Sequence, residues 1–125
     1  MNGKKKRILF IEDEPDQIMM VKLRLEKSGF VVFSAKDGED GIEKAVKEKP
    51  DLILLDIIMP GMDGFEVCKG LRNHSVTKHI PIIATTAAGV DNLEGECLAA
   101  GADECIRKPY EAADLLAKIN SLLKK

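Results

Sequence analysis

At 125 residues, with 45% hydrophobic and 32% charged side chains, the chain is long enough to bury one sizeable core and leaves no room for a separate output domain. A formal net charge of −2 gives no reason to expect nucleic acid or an anionic membrane as a direct partner. Its three cysteines, Cys68, Cys97 and Cys105, are odd in number, lack metal-ligand spacing and follow no signal peptide, which points to a reduced, cytoplasmic protein with small core thiols.

Lys4-Lys5-Lys6-Arg7 reads as a solvated basic leader, covering residues 1–6, to a single domain. Ile8-Leu9-Phe10-Ile11 is a continuous apolar run of strand length that ends in acid, at Glu12-Asp13-Glu14. Pro15 suits the first turn of a helix, which Ile18, Val21 and Leu25 extend to about Ser28 before Gly29 stops it. Phe30-Val31-Val32-Phe33 is the second strand. After the Asp37-Gly38 turn, Ile42, Ala45 and Val46 give a short amphipathic helix closed by Pro50.

Leu52-Ile53-Leu54-Leu55 has no polar alternation, as a strand covered on both faces requires, and it stops at Asp56. Met59 to Gly64 forms a loop. Gly64, Val67, Cys68 and Leu71 then repeat at the spacing of one helix face. Ile80 to Ala84 is the fourth strand, with Pro81 near its start, where the missing N–H costs no ladder bond. Val90, Leu93, Cys97 and Ala100 make a thinner helical stripe ending at Gly101. Cys105-Ile106 is a short fifth strand stopped by Lys108-Pro109, and Ala112, Leu115, Ile119 and Leu122 line a final helix. Strands alternating with helices imply a parallel sheet covered on both faces, because right-handed crossovers allow little else.

The strand ends carry the chemistry. Glu12 and Asp13 follow the first strand, Asp56 the third, Thr85 and Thr86 the fourth, and Lys108 the fifth. In open α/β sheets the carboxyl edge is where ligands bind. If the first and third strands are neighbours, three carboxylates crowd one crevice, and each like-charge pair at about 4 Å costs about 4 kcal/mol at an effective dielectric of 20. Such a cluster calls for a cation, and hard oxygen ligands that leave water in the shell suit Mg²⁺. A carboxylate beside Mg²⁺, an ammonium and a hydroxyl is equipped as a nucleophile in phosphoryl transfer.

Four motifs in this order resemble the receiver domain of bacterial two-component response regulators. They are Ile11-Glu12-Asp13-Glu14, Leu54 to Gly64 with its Asp56-Ile57-Ile58-Met59-Pro60-Gly61, Pro81 to Ala87 with Thr85-Thr86, and Gly101-Ala102-Asp103 leading to Lys108-Pro109. The resemblance implies a flavodoxin-like (βα)5 fold, a doubly wound five-stranded parallel sheet of order 2-1-3-4-5. It implies that Asp56 accepts a phosphoryl group from a histidine kinase or a histidine phosphotransfer protein and thereby switches the binding of a downstream protein. Asp13, Asp56 and the backbone carbonyl of Ile58 would hold Mg²⁺ beside Glu12. Thr86 would be the switch hydroxyl, leading into Ala87, and Lys108 the cation, with a cis peptide before Pro109.

The chain departs from the family pattern in two places. Cys105 stands where a Tyr or Phe usually reads out the switch, and Thr85 stands where an aliphatic residue is usual. Ile58 and Ala88, at the positions flanking the attacking water, offer no hydrogen-bonding group, so the acyl phosphate is expected to persist. Two other readings are a receiver-like interaction module that takes no phosphate and an aspartyl-phosphate phosphatase. Against the second, Ile58 occupies the place where such enzymes need another acid. The chain is thus expected to act on itself and not as an enzyme on other substrates.

Overall fold

The computed structural model describes residues 5–59, 62–86 and 93–124. Five parallel strands, β1 (Arg7–Ile11), β2 (Val31–Ala35), β3 (Leu52–Asp56), β6 (Ile82–Thr86) and β7 (Glu104–Arg107), form one sheet in the order β2-β1-β3-β6-β7. Counting only these five, the order is 2-1-3-4-5, the flavodoxin-like arrangement. Two short strands, β4 (Ile58–Met59) and β5 (Met62–Asp63), make an antiparallel ribbon just after β3. The sequence shows only a loop there, because two-residue strands carry no periodicity. The helices are α1 (Pro15–Lys27), α2 (Gly38–Glu48), α3 (Gly64–Asn73), α4 (Leu93–Ala100) and α5 (Ala112–Leu123). Ala87 and Ala88 lie outside the described residues. No described helix is long and apolar enough to cross a membrane.

Two strands start later than their apolar runs suggest, β2 by one residue and β6 by two. Phe30 N–H bonds Leu25 O at 3.1 Å, so Phe30 completes the exit of α1 and β2 begins at Val31. Ile80 N–H bonds Thr77 O in a turn, and Ile82 is the first β6 residue, its N–H held by Asp103 Oδ2 at 2.8 Å. At the other end, Thr85 O takes the Ile57 N–H and Thr86 O takes the Lys108 N–H, which keeps both threonines in the ladder.

The pleat sorts the strand residues into two cores. Leu9, Ile11, Ile53, Leu55, Ile82, Ala84 and Cys105 face α2, α3 and α4, where Ala45, Val67, Cys68, Leu71 and Cys97 cover them. Ile8, Phe10, Leu52, Leu54, Ile83 and Ile106 face α1 and α5, under Leu25, Leu115 and Ile119. All five β3 residues are buried, which is why that strand shows no polar alternation. The three cysteines are buried and free, as small core residues. Burial, aided by the neighbouring Cys105 thiol, pushes the Cys97 thiol up to about 12.

At the sheet edge away from the strands' carboxyl ends, Arg72 holds several segments at once. Its Nε donates to Gly101 O at 2.8 Å and one terminal nitrogen to Ile80 O at 2.7 Å, while the other pairs with Asp103 Oδ2 at 2.7 Å. The end of α3 is thereby tied to the turn before β6 and to the α4–β7 connection. A local strain sits at the end of α2, where Lys49 adopts a left-handed φ of 51° just before Pro50. Lys49→Gly should therefore raise stability by about 0.5–1 kcal/mol, measured by urea denaturation, since glycine carries no Cβ penalty there.

Candidate functional site

β1, β3 and β7 each bring a charged residue to the carboxyl edge, and the pleat decides which face it joins. Glu12 continues β1, its N–H bonded to Ala35 O at 2.9 Å, and falls on the face of Phe10. Asp56 ends β3 on the face of Leu54. Lys108 continues β7 on the face of Ile106, with its N–H 2.7 Å from Thr86 O. These three converge: Lys108 Nζ lies 3.6 Å from Glu12 Oε1 and 3.6 Å from Asp56 Oδ2. At that distance the ammonium pairs by charge and commits no N–H to either oxygen. The Lys108–Pro109 peptide is cis.

Glu12, Asp13 and Asp56 offer carboxylate oxygens that all lie within 4.8 Å of one another. Glu12 is only 2% exposed and Asp56 6%, whereas Asp13 is open to solvent. Burial, then the Asp56 charge, raises Glu12 from 4.5 to about 7, against the lowering pull of Lys108. Glu12 Oε1 is buried with no hydrogen-bond partner among the described residues. An orphaned buried carboxylate oxygen facing two other acids is a donor set of hard oxygens, and it fits a small divalent cation such as Mg²⁺.

The remaining expected residues lie around this centre. Thr86 is 3% exposed and shares the opposite face of the sheet with Ala84 and Cys105, which pair in register across β6 and β7. Ile58 lies in β4, paired with Asp63. Ala87 is outside the described residues. Thr85 was named by the sequence only as a strand-end hydroxyl, and Tyr110 was not singled out. Thr85 is 0% exposed, and its hydroxyl finds no partner among the described residues. Tyr110 packs into the α1/α5 core, and burial together with the charges of Glu12 and Asp56 raises its phenol. A tyrosine following Lys108-Pro109 was the available signal.

Glu12 sets a pH dependence. Its folded pKa lies above its unfolded value, so the stability it contributes is fully present below about 4.5 and is lost as the pH rises through about 7. Without divalent cations, the protein should lose on the order of 1–3 kcal/mol between pH 5 and pH 7.5 by chemical denaturation. Mg²⁺ should flatten that slope, because it binds the charged carboxylates. A cation-free stability that rises over this range would contradict the buried, crowded Glu12.

A crevice of buried acids and one shared lysine at the carboxyl edge of a flavodoxin-like sheet defines a signalling receiver. The chain belongs to the response regulator receiver domain family, whose family model matches residues 8–120. It is 38% identical over 120 residues to the alkaline phosphatase synthesis transcriptional regulatory protein PhoP of Bacillus subtilis, covering 96% of this chain and 49% of that protein. The chain thus spans about half the length of that curated relative. It is 36% identical over 117 residues to protein PilH of Pseudomonas aeruginosa, covering 94% of this chain and 97% of PilH. Among solved structures, the receiver domain of the sensor histidine kinase PA1611 of Pseudomonas aeruginosa superposes with a TM-score of 0.90 at 27% identity, covering 98% of this chain and 100% of that one. That structure has a magnesium ion coordinated in its active-site cleft.

Proposed function

We propose that this chain is a phosphoacceptor of a two-component system and that Asp56 is the residue modified. The carrying observation is Lys108 Nζ, equidistant at 3.6 Å from Asp56 and Glu12 and bonded to neither. Such an ammonium is free to move onto an incoming phosphoryl oxygen without breaking a hydrogen bond. An Asp56 carboxylate oxygen attacks phosphorus, the P–N bond of a phosphohistidine breaks, and the imidazole leaves with its electron pair. Glu12, Asp13 and Asp56, with the Ile58 carbonyl, would hold Mg²⁺, which supplies charge neutralisation when bound. Thr86, on the face it shares with Cys105, is the hydroxyl that reports the modification to α4.

The donor is a histidine kinase or a histidine phosphotransfer protein, and the modified chain switches its hold on a downstream protein. A cavity of about 720 Å³ opens from Lys108 between α1 and α5, lined by Met20, Val21, Arg24, Tyr110 and Leu115. Met19, Met20 and Leu23 are exposed on α1 beside it, and this apolar face next to the acceptor suits the donor's docking helix. The three reduced thiols favour a cytoplasmic setting, and the match over residues 8–120 favours one receiver unit along this chain.

Incubation with Mg²⁺ and acetyl phosphate, followed by intact-mass measurement, tests this reading. One phosphoryl adduct per chain is expected. No adduct would leave a pure interaction module, and continuous phosphate release without an accumulating adduct would favour a phosphatase.

A further inference from the structure

Thr85 is the one described residue whose buried side-chain hydroxyl lacks a hydrogen-bond partner. Buried hydroxyls are nearly always bonded, and one left unpaired loses its hydration without compensation. An aliphatic residue of the same shape would fill this position without that cost. The placement of Thr85 supplies a reason to keep the hydroxyl.

Cα partners across β3 and β6 include Asp56 with Thr85, and across β6 and β7 Thr85 with Ile106. The pleat puts Thr85 on the face of Ile83, which is the face of Asp56, Glu12 and Lys108. Lys108 follows β7, yet its ammonium pairs with Asp56 on β3. β3 and β7 stand two strand spacings apart, about 10 Å, with β6 between them, so the Lys108 and Asp56 side chains reach toward each other across β6. Thr85 is the β6 residue in register with Asp56 on that face.

We propose that Thr85 is a positioning residue for the acceptor carboxylate: its hydroxyl takes up Asp56 Oδ2 when Lys108 leaves that oxygen for the phosphoryl group. In the ground state Lys108 stands over Oδ2 at 3.6 Å and the hydroxyl stays unpaired. As the other Asp56 oxygen attacks phosphorus, the ammonium follows the developing charge. Oδ2, which becomes the carbonyl oxygen of the acyl phosphate, then has a donor one strand away. The hydrogen bond exists on the product side and not before, so it favours transfer without tightening the ground state. The inference rests on Asp56 being the phosphoacceptor.

The experiment compares the wild-type chain with Thr85→Val and Thr85→Ser. Melting is followed without Mg²⁺, and adduct formation with Mg²⁺ across a range of acetyl phosphate concentrations. Thr85→Val should melt about 3–5 °C higher, because an unpaired hydroxyl is gone. Its maximal rate of adduct formation should nevertheless fall at least about fivefold, with the half-saturating acetyl phosphate concentration unchanged. Thr85→Ser should recover most of the rate. A Thr85→Val protein that is phosphorylated at the wild-type rate would overturn the inference and leave the assignment of Asp56 intact. Equal slowing in the serine variant would overturn it too, by assigning the effect to side-chain volume. A wild-type chain that takes no adduct removes the phosphoacceptor reading itself, and this inference with it.

Discussion

Asp56→Asn should abolish the phosphoryl adduct while leaving the fold intact. The amide is nearly isosteric with the carboxylate, and it lacks the anionic oxygen that the proposed phosphoryl transfer requires. The loss should be total within the sensitivity of intact-mass measurement after acetyl phosphate treatment. An adduct of unchanged yield would place the acceptor elsewhere, and Asp13, in the same acidic cluster, would be the next candidate. The substitution should also raise stability in the absence of Mg²⁺. The second largest influence raising the Glu12 pKa is the Asp56 charge, and removing it relieves a buried like-charge contact by roughly 1–3 kcal/mol. The lost Lys108–Asp56 pair offsets part of this, because Lys108 still has Glu12 at 3.6 Å. The dependence of stability on pH between 5 and 7.5 should become shallower in the same variant, since Glu12 then titrates closer to its ordinary range. A lower melting temperature together with an unchanged pH slope would show that the acids do not repel one another as their spacing implies.

Gly64→Ala should destabilise the protein by about 3 kcal/mol or more. Gly64 opens α3, and its N–H bonds Ile57 O at 3.1 Å. A Cβ there would overlap the Ile57 carbonyl oxygen and stand 2.5 Å from Ile57 Cα, so backbone would have to move. Ile57 directly follows Asp56 and bonds Thr85 O through its N–H. Displacing it therefore disturbs Asp56 as well as the core. Gly95→Ala serves as the control. It lies in α4 with nothing within 4 Å of an added Cβ, and should gain about 0.5–1 kcal/mol from helix propensity. Denaturant melts of the two variants should move in opposite directions, and a Gly64→Ala protein as stable as wild type would mean that the α3–β3 junction has slack the structure does not show.

The main architecture was legible because buried parallel strands announce themselves. Ile8–Ile11 and Leu52–Leu55 are unbroken apolar runs, each followed at once by acid, and the strand order that the family resemblance implied puts Glu12 beside Asp56. The shifts of β2 and β6 were not legible in the same way. An apolar residue just before a strand looks like its first member, and only hydrogen bonding separates Phe30 or Ile80 from the ladder. Which of the two threonines shares the face of Asp56 was also hidden. Adjacent residues on a strand face opposite ways, but the direction depends on where the pleat begins, so Thr86 was singled out and its neighbour set aside. The burial of Thr85 and its unpaired hydroxyl came only from the structure.

The Arg72 clamp bears on how motion would be distributed in this molecule. It grips the carbonyl of Gly101, the residue directly after α4, and holds Asp103 just before β7 begins. An added Cβ at Gly101 would come 2.6 Å from Arg72 Cγ, which leaves little play at that joint. Helix α4 has eight residues, about 12 Å of length. Pinned at its carboxyl end, it behaves as a lever with a fixed fulcrum, and a small tilt is magnified toward Leu93, the end nearer Thr86 in sequence.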